Sequence, residues 1–236
     1  PSWNIESSVF HSDLFSLAMR DEMQRGAIVL CGGQSRRMGR DKATLPFGSE
    51  LMLQRVVRIV SEVIDPAAIV VVAARDQILP ELPATMIISR DEHPDRGPLE
   101  GLAAGLRSMP ESVEAVYVTS CDVPLLKPDF MREMFNRLCD SDIAVPYDGQ
   151  FHHPLAAVYR PQVLPTLQSL LAADRLKAAL LFDDVDTTKV PVESLRTIDP
   201  TLSSLLNCNQ PEDYEAALVA AGLARPKRTG LPTHPT

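Results

Sequence analysis

No apolar run in this chain approaches the ~20 residues that a membrane-spanning helix needs, and no secretory-leader pattern is visible in it. The expected location is therefore the cytoplasm, with no membrane partner. Positive charge is scarce as well. Lysine and arginine total 23 against 31 aspartates and glutamates, a formal net charge of −8. A nucleic-acid binder ordinarily carries a basic face, so no nucleic-acid partner is expected. Cysteine is sparse: Cys31, Cys121, Cys139 and Cys208 stand far apart with no Cys-x-x-Cys pair, which argues against a zinc site. Cys31 and Cys121 each close an apolar run and read as small buried thiols, suited to a reducing compartment. Internal repeats and long linkers are also missing. With 236 residues and 45% apolar side chains, the chain has enough material for one sizeable core.

What the chain does contain is a regular alternation. Strands are predicted over 26–31, 68–74, 85–89, 115–120 and 142–146, and helices over 50–63, 99–109 and 128–139. Beyond Pro146 the pattern loosens. Residues 153–159 read as a strand, 163–171 and 175–182 as helices, and 211–221 as the last helix. Pro211 suits the first position of that helix, and Glu212 and Asp213 favour its first turn. This order predicts an α/β fold with a mainly parallel sheet covered on both faces. Residues 1–24 form an N-terminal extension with a short amphipathic helix over 13–24. The domain runs over 25–222. The segment 223–236, rich in proline, threonine and basic residues from position 225, is expected to be a disordered tail.

The most informative stretch is Gly32-Gly33-Gln34-Ser35-Arg36-Arg37-Met38-Gly39-Arg40-Asp41-Lys42, directly after the first predicted strand. Glycines let the backbone turn sharply and approach a ligand. Free backbone N–H groups beside concentrated positive charge make a seat for phosphates, so a nucleotide is expected here. The spacing is not that of a Walker A loop, nor of the Gly-x-Gly-x-x-Gly fingerprint. A mobile basic turn is the bland alternative.

Four further constellations follow. Asp122, in Thr119-Ser120-Cys121-Asp122-Val123-Pro124, falls at the C-terminal end of a strand, the edge where open α/β sheets bind ligands. A carboxylate facing a triphosphate needs a cation between them, and Mg²⁺ suits one or two carboxylates plus phosphate oxygens. The alternative is an N-cap or turn residue. Asp91 opens a polar loop that enters a helix through Gly97-Pro98, a candidate anion, base or ribose contact, or a plain surface loop. Asn209, in Asn207-Cys208-Asn209-Gln210-Pro211, reads as a cap for the last helix or as a metal oxygen ligand. His152 and His153, adjacent in a strand, face opposite sides and make no joint zinc site. His153 is either a substrate contact or a structural histidine.

Together these pieces resemble the molybdenum cofactor guanylyltransferases, within the Rossmann-like nucleotidyltransferases, from about residue 26 to 221. The family's Leu-Ala-Gly-Gly, Arg-Met-Gly and Asp-Lys stand as Leu30-Cys31-Gly32-Gly33, Arg37-Met38-Gly39 and Asp41-Lys42. Its Gly-Pro-Leu-Ala-Gly stands as Gly97-Pro98-Leu99-Glu100-Gly101, and its Cys-Asp-x-Pro as Cys121-Asp122-Val123-Pro124. Its His-Pro and Asn-x-Asn-x-Pro-Glu stand as His153-Pro154 and Asn207 to Glu212. An asparagine that the family places after its second strand is Ala73 here, and Asp91 aligns across a one-residue gap.

The resemblance implies a three-layer α/β/α nucleotide-diphospho-sugar transferase fold. It implies transfer of GMP from GTP to the molybdopterin phosphate, with pyrophosphate leaving and Mg²⁺ as cofactor. Leu30, Gly32, Gly33, Lys42, Asp91 and Asp122 would bind the nucleotide. Arg37, Lys42 and Asp122 would act in catalysis, and Asp122 with Asn209 would hold the metal. The recipient of the product would be a molybdoenzyme or its chaperone. The double glycine looks like the guanine version of the loop, since related cytidylyltransferases tend to carry Ala-Ala-Gly. The competing readings are a cytidylyl- or sugar-phosphate nucleotidyltransferase of the same fold, and a nucleotide-binding module without turnover.

Overall fold

Three apolar runs become the centre of the sheet: β1 (Arg25–Leu30), β4 (Ile69–Ala74) and β6 (Ala115–Ser120). Each is buried along nearly its whole length, because helices cover both faces and leave no solvent side to demand polar alternation. The computed structural model describes residues 23–32, 41–91, 93 and 96–223. The helix expected over 13–24 lies outside them except for Met23 and Gln24, as do Arg37, Gly33 and the tail beyond Leu223.

The other strands are β5 (Ile87–Asp91), β7 (Ile143–Tyr147), β8 (Ala157–Tyr159) and β9 (Thr187–Pro191), plus a small hairpin of β2 (Pro46–Phe47) and β3 (Glu50–Leu51). The main sheet has the order β5-β4-β1-β6-β8-β7-β9. Strands β5, β4, β1 and β6 pair in parallel. β8 runs antiparallel between β6 and β7, and β9 joins β7 in parallel. The loops after β1, β6 and β7 therefore open on the same edge.

Successive side chains of β1 point to opposite faces. Ala27 and Val29 pack with α1 (Met52–Ser61) and α3 (Pro128–Leu138). Ile28 and Leu30 pack with α2 (Pro98–Ser108), α4 (Leu164–Ala172) and α5 (Ala178–Asp184). On α1, Met52, Leu53, Val56, Val57, Ile59 and Val60 are buried, each contributing about 1.5–3 kcal/mol of transfer free energy. Gly101 and Gly105 bring α2 close to β1. A Cβ on Gly105 would sit 2.7 Å from Ile28 Cδ1, and one on Gly101 would sit 3.2 Å from Leu30 Cδ2.

Several boundaries shift from the sequence reading. The strand expected over 153–159 shortens to β8, and Pro154–Ala156 form a 3₁₀ turn before it. The helix expected from residue 50 begins at Met52, because Glu50 and Leu51 pair with Pro46 and Phe47 across a turn where Gly48 has φ 70°. The helix expected from residue 175 begins at Ala178. Strand β9 and the short helix α6 (Val192–Leu195) were not anticipated. The last helix, α7 (Pro211–Ala220), starts at Pro211 as expected.

Candidate active site

Asp122 lies in the turn that follows β6, with only 7% of its surface exposed. Its Oδ1 accepts a hydrogen bond from the Ser120 hydroxyl. Its Oδ2 meets Lys42 Nζ at 2.7 Å. Asp122 does sit in a turn, as the plainer reading had it, but it is not the cap of α3, whose N-cap is Lys127. Lys42 also donates to Asn209 Oδ1 at 2.9 Å. One ammonium thus gathers two oxygens from distant parts of the chain.

Each member is held by the local fold. Lys42 opens a 3₁₀ turn, Lys42–Thr44, capped by Asp41, whose Oδ1 accepts from Ala43 N at 3.0 Å. The turn after Asp122 is fixed by Arg55 of α1, whose Nε donates to the Pro124 carbonyl at 2.7 Å while its guanidinium stacks over Phe47. The Asn209 segment runs beside Asp122, because Cys208 N donates to the Asp122 carbonyl at 2.8 Å. Asn209 is not the cap of α7. That place belongs to Gln210, and Asp213 accepts from both Asn209 N and Gln210 N. Its amide is left free to face Lys42.

A buried carboxylate anchors the turn that leads into this segment. Asp199 is fully buried, with Lys127 Nζ at 2.8 Å and Ser204 N at 2.8 Å. Burial alone would raise its pKa, but the ammonium and the Ser204 N–H and hydroxyl outweigh that and hold it below the ordinary value. Sequence reading missed Asp199. Its one signal was a run of serines, Ser203 and Ser204, close behind an acid.

The other described residues of the expected set, Leu30, Gly32 and Asp91, stand outside the cluster. The Leu30 side chain packs toward α2, while its carbonyl accepts from Cys121 N at 2.9 Å. Gly32 stands against β4, where a Cβ would lie 3.3 Å from Ala74 N. Asp91 ends β5, two strands from β1 and so about 10 Å away at ordinary strand spacing. Its carboxylate accepts from His93 N at 2.9 Å. Ala73 is fully buried inside β4. Gly97 has φ 77°, a left-handed conformation that suits glycine, and Pro98 follows as the first residue of α2. Glu100, which reads from sequence as part of a polar entry to this helix, is buried among Arg96 (3.4 Å), Arg107 (3.6 Å) and His93 (3.3 Å).

The two adjacent histidines do turn to different partners. His152 packs between the rings of Tyr147 and Phe182. His153 Nε2 lies 3.7 Å from Asp148 Oδ2. Burial lowers the pKa of both. The cysteines are free thiols. Burial, with Cys121 alongside, raises the Cys31 pKa, and burial pushes Cys208 up to about 12. Both stay protonated near neutrality.

Asp122 and Asn209 offer a carboxylate and an amide oxygen, hard donors around one point that now holds a cation. That donor set fits Mg²⁺, which takes few protein oxygens and leaves the rest of its shell to phosphates and water. Among the described residues no group of three or more His, Cys, Asp or Glu side chains is arranged to enclose a metal by itself.

Comparison with known proteins places the chain in a family. The family model of the MobA-like NTP transferase domain matches residues 27–187. A probable molybdenum cofactor guanylyltransferase of Mycobacterium avium is 36% identical over 203 residues, covering 84% of this chain and 97% of that protein. One from Mycobacterium bovis is 35% identical over 183 residues, covering 75% and 89%. Among solved structures, molybdopterin-guanine dinucleotide biosynthesis protein A of Archaeoglobus fulgidus superposes with a TM-score of 0.69 at 21% identity, covering 85% of this chain and all of that one. The chain has the Rossmann-like fold of these enzymes, belongs to the MobA-like NTP transferase family, and is a nucleotidyltransferase.

Proposed function

We propose that the protein transfers GMP from GTP to the terminal phosphate of molybdopterin, free or carrying molybdenum, and releases pyrophosphate. The product is the guanine dinucleotide form of the cofactor, and a molybdoenzyme or its chaperone is the recipient. The observation that carries this reading is the meeting of Lys42, Asp122 and Asn209 at the sheet edge. It occurs in a chain whose relatives named as guanylyltransferases match it along most of its length.

In the reaction, an oxygen of the acceptor phosphate attacks the α-phosphorus of GTP. The bond from that phosphorus to the bridging oxygen breaks, and the electron pair leaves with pyrophosphate. No covalent enzyme intermediate is needed, so positioning and charge neutralisation supply the acceleration. Lys42 holds the β- and γ-phosphates and balances the charge that builds on the leaving group. Arg37 is assigned with Lys42 to the β- and γ-phosphates, and Gly32 with Gly33 to the backbone cradle. Asp122 and Asn209 would hold Mg²⁺, which when bound supplies Lewis-acid polarisation of the phosphates. Asp91 is assigned to the nucleoside side. The pterin side is assigned to 146–155, where His153 and Asp148 stand at the end of β7.

The test is pyrophosphate release by purified protein with Mg²⁺ and molybdopterin, comparing GTP with CTP, ATP and UTP. Release with GTP alone, dependent on the pterin, is expected. Release with CTP instead would keep the mechanism and change the base. No release with any nucleotide, using a pterin active in a control enzyme, would turn the assignment toward a sugar-phosphate acceptor or a binding role.

A further inference from the structure

Cys31 and Asp41 flank the glycine- and arginine-rich segment in sequence, and so form the neck of the proposed phosphate loop. One side chain from a third segment ties them together. Gln77, just beyond β4, donates from Nε2 to the Cys31 carbonyl at 3.2 Å and to both carboxylate oxygens of Asp41, at 3.0 and 2.8 Å. Its Oε1 accepts from Ala74 N at 3.1 Å. Arg90 of β5 fixes the same turn, donating to the carbonyls of Ala74 at 2.9 Å and Gln77 at 2.7 Å.

This amide uses both its donors and its acceptor at once, a combination that neither a carboxylate nor an apolar side chain reproduces. Asp41 in turn caps the 3₁₀ turn that Lys42 opens. Whatever fixes Asp41 therefore fixes the base of the Lys42 side chain.

We propose that Gln77 is a positioning residue that clasps the neck of the phosphate loop and so sets where Lys42 stands relative to Gly32. Its effect on turnover rests on the GTP reading above, but the clasp itself does not. Gln77 touches no reacting atom; it acts through Asp41.

Two variants test this. Gln77→Met keeps the bulk and removes the hydrogen bonds. Gln77→Glu turns a donor into a second carboxylate facing Asp41. Two carboxylates at that distance share a proton at low pH and repel once both ionise. Like charge at that distance raises the second ionisation of the pair, so the contact is tolerated in acid and destabilises as pH rises through that step.

The melting temperature of Gln77→Glu should therefore fall relative to Gln77→Met between about pH 4 and pH 8. At about pH 8, KM for GTP should rise about tenfold in Gln77→Glu and severalfold in Gln77→Met, with kcat falling in the same order because Lys42 also balances charge on the leaving group. Equal KM values in all three proteins would overturn the proposal, as would a Gln77→Glu to Gln77→Met melting difference that is flat with pH. If the parent turns over no GTP at all, the guanylyl reading fails, and the melting-temperature comparison alone decides the clasp.

Discussion

Lys42 and Asp122 are 80 positions apart in the chain and 2.7 Å apart in space. They meet because β1 and β6 are neighbours in register, with Leu30 opposite Ser120, so the loops that follow the two strands leave the sheet side by side. In the resting protein the ammonium compensates a carboxylate that has little access to water. On the proposed reading, an arriving triphosphate would compete for that ammonium, and a divalent cation would then replace it at the carboxylate.

Asp122→Asn preserves shape and removes the charge. Turnover should fall at least about a hundredfold, the scale for losing a group that stabilises charge in the transition state. GTP affinity should change by less than about fivefold, as expected where a group acts more on the transition state than on the ground state. Steady-state pyrophosphate release and calorimetric titration check the two halves. Unchanged turnover with Mg²⁺ would remove Asp122 from the chemistry.

Lys42→Ala removes a charged donor from the phosphates. Such hydrogen bonds are worth about 1.5–3 kcal/mol, so GTP should bind about ten- to a hundredfold more weakly. Equal affinity of variant and parent, by calorimetry, would count against the assignment.

Acid should loosen the segment that carries Asn209. The Asp199 pKa is depressed in the folded protein, so its contribution to stability is present above the unfolded value of about 3.9. That contribution is lost as pH falls through the lower folded value. Asp199→Asn should flatten the acid limb of a melting-temperature profile below about pH 4 and lower the plateau above it. A parallel acid limb in variant and parent would contradict the argument.

Gly105→Ala should destabilise despite alanine's better helix propensity. The new Cβ would fall within 2.8 Å of three carbons of Ile28. Overpacking of this kind costs about 1–3 kcal/mol, against about 1 kcal/mol gained from propensity. Urea unfolding should show a net loss, and a smaller one in an Ile28→Val background, where Cδ1 is gone.

Much of this was readable from the chain. The runs over 26–31, 68–74 and 115–120 are too apolar to be anything but covered strands, and Pro98, Pro128 and Pro211 each mark the first residue of a helix. What escaped notice has a physical cause. β8 was expected as a strand over 153–159, but Pro154–Ala156 turn before it, and no side-chain pattern encodes its antiparallel direction. β9 pairs only along one side and keeps polar residues such as Thr187, Thr188 and Lys189, so it resembles a loop.

At the site, Lys42 and Asp122 were legible as residues but not as a pair. Asn209 read more readily as a cap than as a ligand until Gln210 took the cap. Glu100 and Asp199 look like surface acids in sequence. Only their partners, Arg96 and Arg107 for one and Lys127 for the other, make their burial tolerable.

The Lys42–Asn209 contact spans 167 positions. Translation delivers the chain in order, so a growing polypeptide carries the glycine loop, Lys42 and Asp122 well before Asn209 is made. On the proposed assignment, competence would arrive last. A nascent chain, or one clipped ahead of Asn209, would hold the cation and the carboxylate without their third partner, and so could engage a nucleotide before it could turn one over.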